Sequence, residues 1–89
     1  MADATPPVPP VTFTSFLISL GSSALVHLGE IPDPESGAAL PDLKLARHTI
    51  DVIALLHEKT KGNLDEDEGR LLDALLYDLR TKYLAASAR

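Results

Sequence analysis

A chain of 89 residues with a net charge of −5 and no cysteine has room for one small domain and excludes disulfides and thiolate metal sites. Its acidity, with only two Phe, two Tyr and no Trp, provides neither a basic field for nucleic acid or anionic lipid nor a platform for stacking bases. A domain this small buries only about 60–65% of its unfolded surface, and with disulfides excluded, association with other chains is the natural source of added stability.

The first ten residues, MADATPPVPP, predict a flexible Pro-rich arm over 1–10, because prolines deny the backbone helical hydrogen bonds. PPVPP has the composition of segments that dock in aromatic grooves, but a plain disordered leader is the simpler reading. Asp3 stands where a secretory signal would carry Lys or Arg, so no signal peptide is expected.

Val11 to Gly29, VTFTSFLISLGSSALVHLG, contains no Asp, Glu, Lys or Arg. It predicts a helix over about 12–28, capped by Thr12 or Thr14 and closed by Gly29 in the left-handed conformation with Pro32 beyond. Phe13, Phe16, Leu17, Leu20, Ala24 and Leu28 share one face, yet Ile18, Leu25 and Val26 fall outside it. A helix apolar around most of its circumference is normally covered on several sides. Ser15, Ser19, Ser22 and Ser23, beside Gly21, recur at spacings that let another helix approach closely. The segment is long enough for a membrane span of ~20 residues. However, its Ser and Thr content, His27 and the absence of Lys or Arg before Lys44 favour burial between protein helices.

Glu30 to Pro41, EIPDPESGAALP, reads as a connection. Asp33, Glu35 and Asp42 lack the ligand alternation of a calcium loop, so turn-forming carboxylates are expected. Asp42 is a good N-cap for a second helix over about 43–61, ended by Gly62, with Leu43, Ala46, Ile50 and Ile53 inward and His57 in the next place. A third helix over about 66–85 opens with Asp65 and Glu68 as a capping box. It continues with Leu71, Leu72, Leu75, Leu76, Leu79 and Tyr83 as a broad apolar face. Gly69 is out of place there, since a helix-favouring residue belongs in that turn.

No period-two alternation appears, so the fold class is all-α: a three-helix bundle forming a single helical domain over 11–89. Two amphipathic helices cover about half of a helix that is apolar nearly all round. Assembly into a homo-oligomer is therefore expected, with Phe13, Phe16, Leu17, Ser19, Leu20, Ser23 and Ala24 as the candidate interface.

The chemistry is sparse. His48 and His57 are nine residues apart, half a turn out of phase, and cannot chelate one ion from a straight helix. Ser22 and Ser23 lack the GxSxG setting that exposes a nucleophile, and the glycines form no phosphate loop. No catalytic residue, cofactor or metal is expected, and the chain is not read as an enzyme.

Three segments together, ALVHLGEIPDP, KTKGNL and LLYDLR, resemble the bacterial family catalogued as domain of unknown function 1844, from about Thr12 to Leu84. The resemblance implies a small bacterial cytoplasmic protein and carries over no catalytic residues. It directs attention to His27, Gly29, Glu30, Pro32, Asp33, Asn63, Tyr77, Asp78 and Arg80. On the structural reading Glu30, Asp33 and Asn63 fix helix ends, while Asp78 and Arg80 bond between helices or subunits; on the functional reading the polar set forms a partner-binding face. The function expected is that of a non-enzymatic, self-associating interaction or scaffold protein with, at most, a further protein partner. The alternatives are peripheral membrane association through the first helix, or an accessory role in a larger machine such as the translation apparatus.

Overall fold

Thr12 starts the first helix. Its hydroxyl accepts the Ser15 N–H (2.9 Å), and the Ser15 hydroxyl in turn accepts the Thr12 N–H (3.0 Å), satisfying two of the donors that a helix start leaves unpaired. In the computed structural model, which describes Val8 and residues 10–88, helix α1 spans Phe13–Leu28, α2 Leu43–Lys59 and α3 Glu66–Ser87. Among the described residues there is no strand. The expected Pro-rich arm falls mostly outside them.

Gly29, with φ of 80°, closes α1. The Gly29 N–H donates to the Val26 carbonyl (3.0 Å) and the Glu30 N–H to that of Leu25 (2.9 Å), the pair of bonds that terminates a helix through a left-handed residue. A side chain at Gly29 would also meet Pro41, whose Cβ lies 3.3 Å from where its Cβ would stand. The connection is tied at both ends, because the Asp42 N–H donates to the His27 carbonyl (2.7 Å). Within it the Asp33 carboxylate accepts the Glu35 N–H (2.8 Å), so this acid is occupied in forming a turn.

Asp42 caps α2 by accepting the Leu45 N–H (3.1 Å). This helix stops at Lys59 rather than residue 61: the Thr60 hydroxyl donates to the Leu56 carbonyl (2.6 Å) and the chain turns through Gly62 at φ 84°. Asp65 and Glu68 open α3 as a reciprocal capping box at 2.8 and 3.0 Å. The third helix continues to Ser87, past the expected residue 85.

Each helix supplies three side chains to the core: Leu17, Ala24 and Leu28 from α1, Ala46, Ile50 and Ile53 from α2, and Leu72, Leu76 and Leu79 from α3. Their spacings of three, four and seven put each set on one helical face, and each helix packs against both others. Gly21 lies on the same stripe of α1 and is buried. A Cβ there would stand 2.8 Å from Leu75 Cδ1, so the missing side chain is what lets α3 approach α1. None of the helices described is long and apolar enough to cross a membrane.

Candidate interaction surfaces

The tertiary structure divides the expected interface in two. Leu17 and Ala24 are fully buried inside the single chain. Phe13 and Leu20 are half-buried and packed against that core. Leu17 and Ala24 cannot meet a second chain while the bundle is closed, which corrects the expectation that they belong to an inter-chain surface, whereas Phe13 and Leu20 each keep part of their surface outside. The physical reason is that α2 and α3 both pack on the Leu17–Ala24 side of α1, where Gly21 lets Leu75 of α3 come close.

Phe16, Ser19 and Ser23 remain outside. Ile18 joins them, 55% exposed beside Phe16 at 46%. At 100° per residue, Ser15, Ser19, Ser22 and Ser23 form a small-residue seam, with Ile18 along one margin and Phe16 along the other. The hydroxyls of Ser15 and Ser19 donate to main-chain carbonyls, to Pro10 (3.0 Å) and to Ser15 (3.1 Å) respectively. Val8, Pro10 and Val11 extend this surface past the start of the helix, leaving an apolar trough of about 560 Å³ with no charged lining residue.

The polar residues singled out in the sequence separate into three places. His27, half-buried at the end of α1, and Asp33 line a small cavity under the first connection, while the Glu30 side chain is exposed and only its N–H serves the helix end. Asn63 is exposed in the second turn, its N–H donating to the Thr60 carbonyl (2.9 Å). Asp78 accepts from Lys82 on its own helix (2.7 Å), the i, i+4 pair that their spacing predicts, and bonds no other helix among the described residues. Tyr77 and Arg80 are exposed and line a groove between α2 and α3. At one end of this groove the His57 Nε2 lies 2.9 Å from an Asp73 carboxylate oxygen, the one side-chain bond between helices among the described residues. Nothing in the sequence paired these two, sixteen positions apart on different helices.

Chemically the surface is poor. Among the described residues no three His, Asp or Glu side chains are grouped to hold a metal ion, and no buried polar side-chain atom lacks a partner. The exposed ion pairs Arg70–Glu66 and Lys61–Glu58 lie within one helix or its end and are worth at most a few tenths of a kcal/mol each.

A family model described as Domain of unknown function (DUF1844) matches residues 10–85. The chain belongs to that family. The DUF1844 match begins two residues before the Thr12 cap and ends in the last turns of α3, so the family's unit is the whole three-helix bundle. No curated protein and no solved structure matches the chain.

Proposed function

We propose that this DUF1844 chain is a non-enzymatic interaction protein that self-associates through the outer face of α1. The observation that carries the reading is the exposure of Phe16 and Ile18 on a helix with no charged side chain. In a chain of net charge −5, most faces of two copies repel. The α1 face avoids this, since apposing it to itself brings no like charges together. The serine seam lets two helix axes approach to about 8 Å. Because the Ser15 and Ser19 hydroxyls already bond main-chain carbonyls, covering them strands no donor.

Light scattering behind size exclusion, over a hundredfold concentration range, tests this reading. Wild type is expected to run as an oligomer, and Phe16→Glu is expected to lose the α1 contact while the melting temperature of the bundle holds. An unchanged mass for Phe16→Glu, or a monomeric wild type throughout, would refute it. Added salt should leave this contact intact, since it contains no charge to screen.

A further inference from the structure

The groove between α2 and α3 is lined by these two helices alone. Arg47, Ile50, Asp51, Ala54, His57 and Glu58 face it from α2, at helical steps of three and four. From α3 come Asp73, Leu76, Tyr77, Arg80 and Leu84. The part that reaches from Glu58 and Asp73 to Arg80 holds about 580 Å³. Tyr77 and Leu84 stand on its rim at 77% and 66% exposure, among the largest for apolar or aromatic side chains within the helices.

The charges in this groove are sorted along it. Arg47 and Arg80 stand toward one end, where among the described residues neither forms an ion pair. Glu58 and Asp73 stand at the other. Eleven residues separate Arg47 from Glu58, which is about 16 Å along the helix axis. Asp51 shares the basic end with the two arginines, and at the acidic end the His57 ring pairs with Asp73, which leaves one carboxylate against two guanidiniums at one end and two carboxylates beside one imidazole at the other.

We propose that this groove is a two-fold interface with a second copy of the chain, distinct from the α1 face. A rotation about an axis crossing the groove near Ala54 and Tyr77 sets the basic end of each copy over the acidic end of the other. The same rotation brings the two Tyr77 side chains together at the axis and each Arg80 toward the other copy's Asp73. A two-fold axis running along the groove would instead bring Arg47 to Arg47 and Glu58 to Glu58, so the charge order selects the axis that crosses the groove. A chain with two different self-complementary faces assembles beyond a dimer, into a closed tetramer or an open filament according to how the two axes meet.

The test is the mass of the full chain by light scattering, for wild type, Phe16→Glu, Arg47→Glu, and the swap Arg47→Glu with Glu58→Arg. Wild type should be a tetramer or larger. Either single variant should reduce it to a dimer, while the charge swap, which restores opposite charges at positions 47 and 58 across the two copies and leaves Arg80 and Asp73 as they are, should restore the wild-type mass. In 1 M NaCl the groove contact should weaken and the α1 contact persist, so wild type should fall to the mass of Arg47→Glu. An unchanged mass for Arg47→Glu, or a loss that the swap does not restore, overturns the groove interface and leaves the α1 face standing. Reduction of Phe16→Glu to monomer likewise overturns the groove alone. Conversely, a dimer broken by Arg47→Glu and untouched by Phe16→Glu supports the groove and refutes the α1 face.

Discussion

Gly21 and Gly69 permit a direct measurement of how closely α1 and α3 are packed, because the same methyl group has opposite consequences at the two sites. Both lie within helices, where exchanging Gly for Ala gains about 0.8–1 kcal/mol of helix propensity. At Gly69 a Cβ meets nothing within 4 Å, so Gly69→Ala should realise the full gain. For a domain of this size that raises the melting temperature by about 4–8 °C. At Gly21 the new methyl would stand 2.8 Å from Leu75 Cδ1 and 3.5 Å from Cδ2. Relieving that contact requires Leu75 to turn or α3 to move outward, and overpacking of this kind costs about 1–3 kcal/mol. Since Leu75 is only half-buried, the lower end applies, and the net effect of Gly21→Ala should lie between neutral and about 1 kcal/mol destabilising. Circular dichroism melts of both variants supply the comparison. Leu75→Ala removes the obstructing carbons, so in its background Gly21→Ala should regain most of the propensity gain. Equal stabilisation by Gly21→Ala and Gly69→Ala in the wild-type background would refute the close approach.

Leu17→Ala should cost about 2–5 kcal/mol, since Leu17 is fully buried. Against a total of roughly 4–13 kcal/mol for a domain of this length, urea titration should show a large fall in midpoint, and a loss below about 1 kcal/mol would remove Leu17 from the core. Asp65→Ala deletes half of the α3 capping box and should cost about 1 kcal/mol in the same assay; an unchanged midpoint would show that the cap is idle. At the proposed α1 interface, Ser19→Ala should preserve the oligomer mass, whereas Ser19→Leu should reduce it by filling the seam. If both variants assemble like wild type, the serine seam lies outside the contact.

Much of this architecture is legible in the order of residues because helix ends are local chemistry. Thr12, Asp42 and Asp65 each cap a helix within three residues of themselves, and Gly29 closes one by its own backbone freedom. The inward faces of α2 and α3 are equally readable, since charged residues mark the opposite side: Ala46, Ile50 and Ile53, then Leu72, Leu76 and Leu79, are the buried positions. On α1 that logic fails. Leu17 and Ile18 are adjacent and equally apolar, yet one is fully buried and the other 55% exposed. No charge marks the wet side of that helix, and serine is equally at home in water or in a close helix contact. The groove was out of reach for a different reason. Tyr77 and Arg80 stand out in the order of residues, but their proximity to Arg47 and Glu58 depends on how α3 lies against α2.

By itself, then, the sequence determined three helices, their caps, the turn through Asp33, and the cores of the two amphipathic helices, all set by interactions within a few residues or by a charged face opposing an apolar one. Which side of α1 turns inward, the meeting of α3 with it at Gly21 and the pairing of His57 with Asp73 depend on how the helices pack. Those outcomes rest on contacts between segments distant in the chain: van der Waals packing at Gly21, where the absence of one side chain lets α3 approach α1, and a polar bond across the α2–α3 groove.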